Sequence, residues 1–442
     1  MFYVNKEIEL TTDLLQKMIN RYNVTVKPRL MKYKNYYDGK HAILNKAYKD
    51  ASKPCNRTVI NFTKNIVDSY TGYLATPSYI SYSSENDIDE IMDILRFNDY
   101  QSEDADFLMN ALIYGTAAEL MYIDNSGHTR FKLINPAQCF AVYDDSLSND
   151  LLYFVRIYPV SEWDDSIKYN VDVYSDYDIK HYSMSGENGA LQPIGEEPHY
   201  FSQCPANVFN LPDEKSIFDC ILSLQDAANE LVSSEIDDFQ AFVDAYLVLL
   251  GVDADLDDIG AMKENRVIVL PEGAAAQWLT KNANDTQIEN MLKRIQDSIY
   301  RISSCVDFSS ETFTGGVSSG VAIRFKLSGM ETRAGKIEAE MKKALQRRIE
   351  IICGIASLKY GEEVFRDIQI DFKRNIPEDY NTLISLVNSL KGIVSDKTLL
   401  GQLPFVEDIN AELEAVKEQK AASMALYSFG TENNLGEEEE TA

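Results

Sequence analysis

SIFDCILSLQDAANELVSSEIDDFQAFVDAYLVLLG, residues 216–251, decides the architecture of this chain. Its apolar positions recur at helical spacing, and the stretch reads as one long helix over 216–250. Between Ser216 and Met262 there is no Lys or Arg, yet there are eleven Asp or Glu. Five of them, Asp219, Asp226, Glu230, Asp237 and Asp244, are spaced by 7, 4, 7 and 7 residues. At about 100° per residue they fall within roughly 40° of one another on one face. Over ~35 residues that acidic line runs roughly 50 Å. The other faces hold Phe218, Ile221, Leu222, Leu224, Leu231, Phe239 and Phe242, and Ser223, Ala227 and Ala228 would let a neighbouring helix come close. So apolar a helix needs packing partners on more than one side. One reading is a core helix with a single wet face. The other is a helix in a ring, its acidic line facing a channel or groove, where it would repel DNA phosphates and let a duplex slide.

A return helix is expected over 285–304, with the stripe Ile288, Leu292, Ile295, Ile299 and Ile302. Lys293, Arg294 and Arg301 sit on its opposite side and would either pair with the acidic line or face DNA. Between the two helices, 251–284 is a compact mixed segment that includes the strand-like RVIVL at 266–270. After the return helix comes a loop over 305–319: Asp307, Phe308, Ser309, Ser310, Glu311, Thr312, Phe313, Thr314, Gly315 and Gly316 are its central residues. The glycine pair frees the backbone. No GKS or GKT follows, so this is not a nucleotide-binding P-loop. A long basic helix follows over 320–358, carrying Arg324, Lys326, Arg333, Lys336, Lys342, Lys343, Arg347 and Arg348. It would neutralise the acidic helix of a neighbouring copy or present a solvated face.

Upstream, helices are expected over 10–37, from Val59 to Pro77, and over 86–97 and 101–114. From Ala117 to about Phe201, short apolar runs alternate with Asn, Asp, Gly and Ser, the pattern of a mostly antiparallel sheet with tight turns. Downstream, helices at 378–391 and 406–424 precede an acidic tail. The chain has 442 residues, enough for two or three domains' worth of core, and a formal charge of −28. That charge argues against tight reading of DNA and against anionic membrane surfaces. Tyr, at 26 copies, suits surfaces buried on one side and wet on the other. The N-terminus shows no signal-peptide pattern, and the most apolar stretch, Ala241–Val252, is too short to span a bilayer and contains Asp244. Six scattered cysteines, with no CxxC pair, read as reduced buried thiols of a soluble cytoplasmic protein.

Enzyme and metal signatures are weak. The four histidines, His41, His128, His181 and His199, have no metal spacing, and there is no GxSxG elbow. Asp253, Asp255, Asp257 and Glu264 match positions one, three, five and twelve of a calcium loop. Asp258 stands where that loop needs glycine, which favours a solvated acidic turn. Neither a catalytic residue nor a cofactor or metal is expected. A metal-dependent nucleic-acid enzyme is the remote alternative.

In series, several segments resemble the portal proteins of tailed bacteriophages, in the subgroup typical of long-tailed phages of Gram-positive hosts. They are YKNYYDGKHAIL, NRTVINFTKNIVDSYTGYLATP, DADFLMNALIYGTAAELMYID, LINPAQCFAVYDD, the opening stretch at 216–251, SSGVAIRFKLSGMETRAGKIEAEM and GIVSDKTLLGQLPFVEDINAELEAV. The likeness covers nearly the whole chain in one order.

That resemblance implies an α+β, mainly helical, portal-like fold. Its parts would be an α/β wing (1–215), a stem helix (216–250), a small α/β clip (251–284), a second stem helix (285–304) and a tunnel loop (305–319). A long wing helix with a return strand (320–375) and a small helical crown with an acidic tail (376–442) would complete it. It implies a homo-oligomeric ring, usually of twelve subunits, at one capsid vertex of the virion, assembled in the host cytoplasm. The ring would admit double-stranded DNA during packaging and release it on infection. Implied partners are the terminase motor, which supplies ATP hydrolysis, the head–tail adaptor, the scaffold and the major capsid protein, with no membrane. Another head–tail connector or minor capsid protein is the alternative.

Overall fold

The computed structural model describes residues 2–47, 54–75, 80–160, 168–243, 246–250, 273, 275–279, 285–308, 320–355, 364–374, 385, 387–401, 403, 406 and 412–421. The chain divides into two units: Met1–Val317 with Phe325–Asn375, and Ser318–Arg324 with Ile376–Ala442.

The first unit opens with strand β1 (Phe2–Val4), then helix α1 (Thr12–Arg21), a π-helical turn over Tyr22–Val26 and α2 (Lys27–Tyr37). Thr11 caps α1 by accepting from the Leu14 N–H, and Pro28 sits in the first turn of α2, where a missing N–H costs nothing. Helix α3 (Phe62–Leu74) is capped by Asn61, which accepts from the Lys64 N–H. Strand β2 (Ile80–Ser83), α4 (Asp89–Phe97) and α5 (Tyr100–Tyr114) follow. Helix α5 ends on Gly115 with φ +82°, and a Cβ there would lie 2.5 Å from the Glu214 carbonyl carbon. Only glycine fits that turn, which feeds α5 directly into the sheet.

Next come β3 (Thr116–Ile123), β4 (Thr129–Ile134), β5 (Cys139–Asp144), β6 (Leu151–Pro159), β7 (Lys168–Tyr174), β8 (Asp178–Ser185), β9 (Gln192–Pro198) and β10 (Ala206–Asn210). They build a six-stranded sheet in the order β1-β5-β6-β7-β8-β9 and a three-stranded sheet in the order β10-β3-β4. Every pairing is antiparallel except β1 with β5. Ala118, Leu120, Ile134, Cys139, Ala141, Phe154, Cys204 and Ala206 form a buried cluster that joins the two sheets. Burial pushes the Cys139 and Cys204 thiols up to about 12, so both stay protonated. All six cysteines are free; four are buried, Cys55 is half-buried and Cys220 is exposed.

Helix α6 (Leu222–Val243) then leads to strand β11 (Tyr246–Leu250), which pairs antiparallel with β12 (Ala275–Leu279). This corrects the expectation of a single helix over 216–250. YLVLL at 246–250 is a short apolar run, and such a run fits a paired strand as well as a helix end. Helix α7 (Asp285–Ser303) packs on α6. The long helix α8 (Gly320–Cys353) buries Leu327, Met330, Ala334, Ile337, Met341, Leu345, Ile349 and Ile352, a single apolar face at three- and four-residue steps. Strand β13 (Gln369–Phe372) returns to pair with β2.

The basic residues of α8 are mostly engaged within the chain. Arg348 is fully buried, donates to both carboxylate oxygens of Glu119 at 2.7 and 2.9 Å, and also bonds Asp104. The rings of Phe107 and Phe131 lie against its guanidinium. Tyr82 donates to Asp104 and Asn207 donates to Glu119, which disperses the charge. Burial pushes the Asp104 carboxyl up, against the pull of Arg348. Lys342 pairs with Glu338, Lys343 with Glu340 and Arg347 with Glu350. Neutralising a neighbour's acidic helix is therefore not what most of these cations do.

In the second unit, Ser395 caps a short helix, Asp396–Leu400, and 412–421 is helical.

Candidate functional site

The α6–α7 pair and the start of the loop after it are the candidate site. Four residues of the expected acidic line are described, and each meets the chain's own N-terminal region. Tyr33 Oη donates to Asp219 at 2.7 Å, and Tyr36 Oη donates to both oxygens of Asp226 at 2.8 and 2.9 Å. Lys46 Nζ lies 2.8 Å from Glu230. Asp237 accepts from the backbone N–H and the side-chain amide of Asn56 at 2.7 and 2.8 Å. Burial, and then the bond to Asp226, push the Tyr36 phenol up to about 12, so it remains a donor. The acidic line is thus an acceptor row for residues 33–56, with Asp237 buried, Asp219 and Asp226 half-buried and Glu230 exposed. A carboxylate row that repels phosphate attracts phenol, ammonium and amide donors equally well. Asp244 lies outside the described residues.

A second row on α6 was not anticipated. Gln225, Asn229, Ser233 and Asp237 recur every four residues, and all four are buried. They accept from the backbone N–H groups of Phe62 (3.0 Å), Ile60 (2.9 Å), Thr58 (3.0 Å) and Asn56 (2.7 Å) in turn. The segment 56–62 therefore runs antiparallel to α6, every second amide held by one turn of the helix. The periods nearly agree: two extended residues advance roughly 6.7 Å and four helical residues about 6 Å. Asn229 also donates to His41 Nδ1 at 2.8 Å, and His41 Nε2 lies 2.8 Å from the Tyr36 carbonyl. The sequence signal was present as a polar i, i+4 series on an otherwise apolar helix, next to the acidic series that drew the reading.

On α7, Ile288, Leu292 and Ile295 are half-buried and Ile299 is fully buried, while Ile302 is exposed. Lys293, Arg294 and Arg301 are exposed, and among the described residues none of them is in an ion pair. They do not pair with the acidic line, whose partners among the described residues include Tyr33, Tyr36, Lys46, Asn56 and Lys215.

The end of α7 is tied down by an unanticipated pair. Arg333 of α8 donates to the Ser303 carbonyl at 2.6 Å and to the Ile217 carbonyl at 2.7 Å. Tyr70 Oη donates to the Ser303 and Ser304 carbonyls, each at 3.1 Å, and the Arg333 guanidinium lies over its ring. One cation thus caps the carbonyl end of α7 and holds the entry to α6. The loop starts just beyond. Asp307 accepts from Gln296 at 3.3 Å, and Phe308 is exposed. Ser309, Ser310, Glu311, Thr312, Phe313, Thr314, Gly315 and Gly316 lie outside the described residues, as do the calcium-like segment 253–264 and RVIVL at 266–270.

The histidines stand apart. His128 approaches Asp124, His181 bonds Asp172 at 2.7 Å, and His199 approaches the Ser175 carbonyl at 3.0 Å. Among the described residues no group of three His, Cys, Asp or Glu is placed to hold a metal ion, and no helix is long and apolar enough to cross a membrane.

A family model described as phage portal protein, SPP1 Gp6-like, matches residues 16–425. The portal protein of Bacillus phage SPP1 is 23% identical over 452 residues, covering 94% of this chain and 88% of that protein. The portal protein of Clostridium phage phiCD119 is 20% identical over 430 residues, covering 90% and 94% respectively.

Proposed function

This chain belongs to the SPP1 Gp6-like family of phage portal proteins, and from that premise we propose that it assembles into a closed ring at one capsid vertex. The ring is the channel for packaging and for ejection. Terminase and then a head–tail adaptor dock on the 251–284 segment; scaffold and major capsid protein hold the rim. The observation that carries this reading is the split of charge across the helix pair. The α6 acids are engaged by residues 33–56 of the same chain, whereas Lys293, Arg294 and Arg301 are exposed on α7. In a chain of −28 those exposed cations can meet a passing backbone.

Three separated cations per subunit hold DNA by screened, sequence-independent contacts that break and re-form as the duplex advances. The loop from Asp307 to Gly316 touches the duplex and retains it. Chemical energy comes from the terminase, and this chain supplies the passage. The test is negative-stain imaging and native mass determination of the purified protein, followed by a packaging assay. Closed rings with an axial hole are expected. Shortening Phe308–Ser318 leaves rings intact but impairs packaging or retention; normal packaging by such rings removes the loop's role.

A further inference from the structure

A closed ring of more than two copies is built from head-to-tail contacts, so each subunit must carry two different, complementary surfaces. Two bare surfaces in the first unit answer that need. One is the free edge of the six-stranded sheet. All seven residues of β9 are exposed, so neither face of this edge strand is covered. Ile194 is 60% exposed and the neighbouring Tyr200 71%. Glu196 and Glu197 are its charges, and Asp178 stands across from Pro198 in the register. Lys180 lies 4.0 Å from Asp178, and the His181 ring lies 3.6 Å from Glu197. Pro193 and Pro198 lack an N–H, so a second strand cannot pair along the whole edge. What the edge offers a partner is side chains.

The other surface lies where α4 ends against the β3–β4 hairpin. Phe97 is 50% exposed, with the Arg130 guanidinium 4.6 Å from its ring centroid and the His128 ring 4.8 Å away. Tyr122, exposed, stands directly across from Arg130 in the strand register. Arg96 is exposed beside Phe97. Its ion pair with Asp93 and the His128–Asp124 pair are both solvent-facing, and such pairs exchange readily. Cations grouped around an exposed aromatic ring complement an acidic strand flanked by Ile and Tyr.

We propose that these surfaces meet between adjacent copies, Glu196 and Glu197 with Ile194 and Tyr200 of one copy seated on Arg96, Arg130 and Phe97 of the next. The proposal rests on the ring reading above. The test is a charge swap on the full-length protein, read by light scattering after gel filtration across a salt series. Arg130→Glu and Glu197→Arg, each alone, place like charges at every contact, and each should lower the ring fraction about tenfold or more. Both together should restore it. Glu197→Arg lies on a strand with no buried residue, so it is not a folding variant, and circular dichroism melting checks both. Rings that tolerate both single changes at unchanged salt, or a folded double variant no better than the worse single one, overturn the contact and leave the ring reading standing. Wild-type protein that never closes into a ring overturns both.

Discussion

Asn229 donates from Nδ2 to His41 Nδ1 at 2.8 Å, and this contact sets which ring nitrogen carries the proton. His41 Nε2 faces the Tyr36 carbonyl and must donate, so Nδ1 is the acceptor. A second proton on Nδ1 would face an amide donor. Asn229 cannot turn over, because its Oδ1 already accepts from the Ile60 N–H and from Gln225.

A pH dependence follows. Burial pushes the His41 pKa below its usual 6.5, against weaker opposing effects of the Tyr36 carbonyl and the Asp226 carboxylate. The unfolded chain therefore binds this proton first as pH falls. His41 stabilises fully above about pH 6.5, and the stability declines as pH drops toward the folded-state value. The Tm should fall between about pH 7.5 and about pH 5.5, and less so in His41→Gln. An equal fall in both proteins would remove His41 from the account.

The amide ladder predicts an order of effects. Asn229→Leu orphans the Ile60 N–H and His41 Nδ1, Ser233→Ala orphans the Thr58 N–H, and Gln225→Leu leaves the Phe62 N–H with only its 3.2 Å bond to the Ile60 carbonyl. Each buried orphan costs about 1–3 kcal/mol, so Asn229→Leu should be the most damaging in urea unfolding. Ser223→Ala, on the exposed side of the same helix, should change stability by less than about 0.5 kcal/mol. Hydrogen exchange at the Thr58 and Ile60 amides should quicken in the first three variants and not in the last.

That ladder also marks how far the sequence could be read. The order of helices and the antiparallel sheet over 117–201 were legible, because periodicity and turn residues act locally. So was the stripe on α7, through Ile299. The partners of the acidic line were not. Tyr33, Tyr36, Lys46 and Asn56 lie some 180–190 residues away from the carboxylates they meet, and nothing local links them. An acidic row on a helix looks the same whether it faces water, DNA or its own chain. The 246–250 strand was missed for a related reason: its length and apolarity suit two conformations, and pairing with 275–279 decides.

Arg348 gives a test of buried charge. Arg348→Met leaves Asp104 and Glu119 together in a dry core, at a cost of about 3–5 kcal/mol. Replacing all three with apolar residues of similar volume, Arg348→Met with Asp104→Leu and Glu119→Met, should recover most of that loss. If the triple variant is the least stable of the set, the carboxylates hold α5 and β3 through their bonds to Tyr82 and Asn207 more than they burden the fold.

Arg333 governs how firmly the α6–α7 pair is rooted, and with it the start of the loop. Its planar fork reaches two carbonyls at once, Ser303 where α7 ends and Ile217 just before α6. An ammonium group lacks that geometry, so Arg333→Lys should keep one bond and lose the other. Tyr70 still holds Ser303 and Ser304 in either variant, which limits the damage to the root. The expected loss is about 1–3 kcal/mol for Arg333→Ala, with Arg333→Lys between it and the wild type. Because Asp307 follows Ser303 by only four residues, a loosened helix end should speed limited proteolysis within 305–319 in the same order, while closed rings still form. Cleavage at an unchanged rate in Arg333→Ala would mean that Tyr70 alone sets the helix end, and Tyr70→Phe in that background would then be the change that releases the loop.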